Sequence, residues 1–78
     1  MSRKREIKQE IEECEGEIEE LERKRERSQV AIMRAWLEGN KPPKEDAQYF
    51  TVFSQLIDQT RDRLRKLYAE LEEIKKKK

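Results

Sequence analysis

Eighteen carboxylates, a single thiol and no imidazole make up most of the reactive chemistry this chain could bring to a site. Carboxylates on facing helices can hold a metal, but such centres ordinarily recruit histidine as well, and the chain has none. Cys14 is the only cysteine, so neither a zinc cluster nor a disulfide within the chain can form. Gly16 and Gly39, the only glycines, are too far apart to make a phosphate-cradling loop. The expectation is a non-enzymatic protein with no catalytic residues, no cofactor, no metal and no small-molecule substrate. Cys14 falls on an apolar repeat and reads best as a small buried hydrophobe; a disulfide between two chains is the alternative.

Binding is a different matter. Residues 30–37 read Val-Ala-Ile-Met-Arg-Ala-Trp-Leu, seven of eight apolar, and four of the five aromatic residues lie between Trp36 and Phe53. Val30, Met33 and Leu37 are spaced to fall on the far face of a first helix, and Trp36 flanks its seam. Tyr49 and Leu56 flank the seam of a second helix, with Val52 extending that flank outward. Two paired helices need one apolar stripe each, so this second set needs a further partner to cover it. Burying six such side chains would supply very roughly 10 kcal/mol before the costs of association. Val30, Met33, Trp36, Leu37, Tyr49, Val52 and Leu56 are therefore the expected partner-binding residues. The partner is expected to be the chain itself, as a dimer forming a four-helix bundle, or another helical protein.

The elements that position these residues follow from two uninterrupted heptad seams. The first is Ile7, Ile11, Cys14, Ile18, Leu21, Arg25, Ser28, Ile32 and Ala35; the second is Phe50, Phe53, Ile57, Thr60, Leu64, Leu67, Leu71 and Ile74. Steps of three and four alternate throughout, as a coiled-coil stripe requires. Gly39 suits the left-handed residue that ends a helix, and Pro42 or Pro43 the first turn of the next. The fold expected is all-α, an antiparallel helical hairpin with coiled-coil packing in a single domain. Helix 1 covers about 3–38, the turn 39–42 and helix 2 about 43–76, each helix on the order of 50 Å long. Arg25, Ser28 and Thr60 are polar where apolar residues are expected, a soft layer with the arginine reaching to water.

Charge supports folding back. In such a hairpin, facing residues have numbers summing to about 82, because both helices rise equally. Residues 6–22 hold nine glutamates and one lysine, opposite a stretch carrying Arg61, Arg63, Arg65, Lys66, Lys75 and Lys76. The basic cluster Arg23, Lys24, Arg25 and Arg27 falls across from Asp58. Arg3, Lys4, Arg5, Lys75, Lys76, Lys77 and Lys78 meet at the open end as a basic pole. That pole could touch nucleic acid or an anionic membrane, but no aromatic is interleaved with it. The net charge of +1 creates no global field for either. No apolar run is long enough to span a membrane, and no signal-peptide pattern opens the chain, so a cytoplasmic location is expected.

Three short segments resemble known helical-hairpin families. Gln48-Tyr49 after the Gly39 turn resembles the small co-chaperones of type III secretion needle subunits. That likeness implies a chaperone-like role in a cytoplasmic complex with a helical-repeat chaperone. Ser54-Gln55-Leu56-Ile57-Asp58 resembles the signature of the small sporulation aspartyl-phosphate phosphatases, which implies action on a response regulator through Asp58. Trp36-Leu37-Glu38-Gly39 with Tyr68-Ala69-Glu70-Leu71-Glu72 is similar to the secreted Trp-x-Gly hairpins, with one more residue between tryptophan and glycine. Each likeness is confined to its own segment.

Overall fold

The computed structural model describes residues 2–77. Two helices, α1 (Arg3–Leu37, 35 residues) and α2 (Lys44–Lys76, 33 residues), pack side by side as an antiparallel hairpin measuring 60 × 16 × 15 Å. The fold is the all-α hairpin that the heptad pattern implies. Arg3 of α1 is bonded to Glu70 of α2, and Glu15 to Tyr68. Both contacts link the start of the first helix to the end of the second.

The reversal is set by glycine. Gly39 has φ +76°, and its N–H donates to the Trp36 carbonyl at 3.1 Å while the Asn40 N–H donates to the Ala35 carbonyl at 2.8 Å. This pair of bonds satisfies the last carbonyls of α1 and turns the chain out of the helix. The prolines act one step earlier than expected. Pro43 is the N-cap of α2 rather than a residue of its first turn, with φ −57° and ψ 133°. Its carbonyl accepts the Ala47 N–H at 3.1 Å. A residue that precedes a proline is pushed to extended backbone, so Pro42-Pro43 holds the linker straight up to Lys44. Glu45 and Asp46 then occupy the first turn, where the helix dipole favours anions.

The core lies mainly in the half away from the turn. Ile7, Ile11, Cys14, Leu67 and Leu71 form one buried cluster, with Leu64 and Ile74 packed against it. Cys14 has no exposed surface, so within the hairpin it is a packing residue. Ile57 closes the middle of the seam. Ser28 is buried and Thr60 half-buried, the latter donating its hydroxyl to the Leu56 carbonyl at 2.8 Å. Arg25 does not simply reach to water. Its guanidinium donates to Ser54 Oγ at 3.4 Å and sits 5.9 Å from the Phe50 ring centroid, a cation over an aromatic face.

Towards the turn the seam is looser. Ala35 is buried, but Ile32, Phe50 and Phe53 are only half-buried. Ala47, which a sum of about 82 sets opposite Ala35, is exposed, and Asp46 is the half-buried residue at that level.

Candidate functional site: the apolar faces near the turn

Among the described residues, eight large apolar side chains remain exposed, and seven of them are Val30, Met33, Trp36, Leu37, Tyr49, Val52 and Leu56. The eighth, Tyr68, donates its hydroxyl to Glu15 at 3.1 Å. Trp36 is 65% exposed and Leu37 is 86% exposed. The hairpin does not wrap these residues around itself, because a two-helix seam can cover only one stripe of each helix.

They do not form one stripe. Met33 and Trp36 of α1, with Ile32 behind them, face Ala47, Phe50 and Thr51 of α2 across a groove of about 580 Å³. This corrects the placement of Met33, which lines the side of the hairpin rather than the far face of α1. The groove has no charged residue in its wall, in a chain that is 47% charged. Tyr49 and Leu56, seven residues apart, hold the opposite flank of α2, since the heptad puts them on the other side of the seam from Ala47 and Ser54. Tyr49 stacks on Phe53 with ring centroids 6.0 Å apart. Val52 lies outward of that flank. Val30 and Leu37, again seven apart, point away from α2 on the back of α1. The candidate residues thus sit on three faces around the turn-proximal half, and a partner touching all seven would have to wrap it.

The basic pole is partly neutralised. Arg3 forms a two-pronged pair with Glu70, at 3.0 and 3.2 Å. It also contacts Glu6 at 3.3 Å and Glu10 at 3.6 Å. The ion pair gives the buried Oε2 of Glu10 its partner even though no hydrogen bond reaches it. Hydrogen bonds to Glu70 and then Glu6 hold the Arg3 guanidinium above its ordinary pKa, and the same Arg3 bond holds the Glu70 carboxyl below its own. Lys75 and Lys76 lie in the last turn of α2, where cations complement the helix dipole. Lys4 is half-buried and Arg5 and Lys77 are exposed; Lys78 lies outside the described residues.

Across the seam, Glu22 pairs with Arg61 at 3.7 Å. Arg23 and Lys24 pair with Glu19 and Glu20 one turn back along α1 rather than with Asp58. Asp58 itself is exposed, as are Gln48 and Tyr49. Among the described residues no three acidic, cysteine or histidine side chains converge as a metal site, and no helix is long and apolar enough to cross a membrane.

The Arg3–Glu70 and Glu15–Tyr68 contacts escape a reading that follows only the seam. Both join positions that flank it, and flanking residues of the same class meet in an antiparallel pair. Writing out those flanks would have found both, together with the groove between Trp36 and Ala47. No protein-family model matches the chain, and neither a curated protein nor a solved structure is significantly similar to it.

Proposed function

We infer that the chain is a non-enzymatic interaction module, an adaptor or assembly subunit that binds a helical partner through its turn-proximal half. The observation that carries this reading is the separation of burial along one hairpin. The half holding Ile7 and Cys14 is sealed, while the half holding Trp36, Met33, Tyr49 and Leu56 keeps its large apolar groups in water. Exposed aromatic and methionine side chains gathered in one region are typical of surfaces that serve a partner. The partner is helical in this reading because the exposed groups lie along helices, where an amphipathic helix can insert its own ridge.

The test is a double substitution, Met33→Asp with Val52→Asp. Both positions are outside the seam, so the variant stays helical by circular dichroism and loses its complexes, read as a lower solution mass or as failed co-purification. Retention of every complex by a folded double variant would place the interface elsewhere.

A further inference from the structure

The side of the hairpin that carries the Met33–Trp36 groove changes character along its length. From the groove it continues through Gln29 into a channel lined by Glu26, Glu22 and Glu19 of α1, with Arg23 and Arg25 also in its wall. It runs on past Glu15 and Glu12, with Arg61 of α2 beside them. These glutamates are three and four residues apart, so α1 presents an acidic row from Glu26 to Glu12, separated from Met33 by Gln29. On α2 the same spacing leads from Ala47 and Thr51 through Ser54 and Asp58 to Arg61 and Arg65. This face is therefore large on α1 and small on α2 near the turn. Further down it is acidic on α1, and α2 carries Asp58 and two arginines, Arg61 paired with Glu22 and Arg65 with Asp62 of the same chain.

We propose that this face is covered by a second copy of the chain, related by a two-fold axis along the hairpin, with both turns at the same end. The proposal rests on the interaction reading above and narrows it to one face and one partner. An axis in that direction lays α1 of each copy over α2 of the other, because an isologous contact pairs unlike elements of the same patch. Met33 and Trp36 then stand over the short side chains of Ala47 and Thr51 of the second copy. In the same arrangement Glu15, Glu19 and Glu22 lie over the stretch of the second copy that holds Arg61 and Arg65, while Glu26 stands at the level of Ser54 and Asp58. Both matches need the same axis. Turning one copy end for end would press the uncharged groove onto the level of Glu12, leaving carboxylates against apolar surface at a desolvation cost.

Area favours a full-length contact over one confined to the turn. A face 60 Å long and 16 Å wide offers roughly 950 Å² per copy, against about 800 Å² per partner in a stable complex. The turn-proximal half alone offers about half of that. The opposite face repeats the acidic and basic match in its lower half, with Glu13, Glu17 and Glu20 of α1 near the level of Arg63 and Lys66 of α2. It differs near the turn, where Lys24, Arg27 and Arg34 of α1 stand at the level of Tyr49, Val52 and Leu56 of α2, so a second copy there would press cations onto apolar side chains at a desolvation cost.

Light scattering on the full chain across the micromolar range tests the proposal, with Thr51→Arg and Leu56→Arg as the paired variants. The wild type is expected to be a dimer. Thr51→Arg puts two like charges into the uncharged groove of the dimer and should raise the dissociation constant by roughly a hundredfold or more; Gln55→Arg, at an exposed position of α2 away from the groove, should leave it unchanged, and Leu56→Arg probes the competing face. If Thr51→Arg loses helicity, Ala47→Arg repeats the test. In a Cys14→Ala background, mixing Met33→Cys and Thr51→Cys chains should give a disulfide-linked heterodimer on oxidation. A dimer broken by Leu56→Arg but not by Thr51→Arg would overturn this face and leave the interaction reading standing. A monomer at every concentration would overturn the second copy as occupant. A different protein retained by the wild type but not by Met33→Asp/Val52→Asp would then preserve the interaction reading, and equal retention by both would end it too.

Discussion

Gly16→Ala and Gly39→Ala add the same methyl group to the same chain, and their effects on stability should have opposite signs. At both positions an added Cβ meets nothing within 4 Å, so steric clash contributes to neither. Gly16 lies on the exposed face of α1, where alanine is favoured over glycine by about 1 kcal/mol. Gly39 has φ +76°, and an L side chain there costs about 1–2 kcal/mol. Alanine also restricts the unfolded chain and returns about 0.4–1 kcal/mol, leaving a net loss near 1 kcal/mol. For a domain of this size each kcal/mol shifts the midpoint by about 4–8 °C, so the two variants should melt roughly 10 °C apart, on either side of the parent. The assay is thermal unfolding followed by helical circular dichroism. It must be run at one fixed chain concentration, because the proposed self-association would make the midpoint depend on it. Gly39→Asn should fall between Gly39→Ala and the parent, since asparagine tolerates the left-handed conformation. A Gly39→Ala variant as stable as the parent would mean that the turn does not need this backbone conformation.

The remaining expectations are narrower. Cys14 has no exposed surface, so its thiol should react with a disulfide reagent only as fast as the hairpin opens, and denaturant should accelerate labelling steeply; prompt labelling of the native chain would show that the core of the open end is not sealed. The Arg3 hydrogen bond holds the Glu70 carboxyl below its ordinary range. Its contribution to stability is therefore complete above the unfolded-state pKa of about 4.3 and is lost as pH falls through the lower folded value. Glu70→Gln should remove that part of the acid dependence and leave the neutral-pH helix content intact, which urea titrations at several pH values would show.

Much of the fold is legible from residue types alone. Seams of this regularity identify the hairpin because steps of three and four keep one stripe facing one partner, and Gly39 is the residue where the chain must leave the helix. The prolines are less legible: the residue type marks the linker but not whether Pro43 caps α2 or enters its first turn, and that differs by one peptide unit. The candidate site is only half legible. Seam arithmetic identifies Met33, Trp36, Tyr49 and Leu56 as surplus apolar groups. It does not show that Met33 turns towards α2 while Leu37 turns away, because that depends on how the helices lean together near a turn where Asp46 and Ala35 are the last seam residues. Arg25 shows the same limit. Its position is readable, but its reach to Ser54 and Phe50 depends on a long side chain choosing between water and an aromatic face.

The distribution of packing has a mechanical consequence. α1 begins and α2 ends where Ile7, Ile11, Cys14, Leu67 and Leu71 are buried together, while the turn lies at the far end of a 60 Å rod. Tension applied between Arg3 and Lys76 would peel the helices apart layer by layer rather than shear them. The first layers to part would be the best packed, and those reached later, at Ile32, Phe50 and Phe53, are only half-buried. Such a hairpin should resist up to a single force peak and then open to the turn without a second one, as a latch whose strongest contact is the one nearest the load.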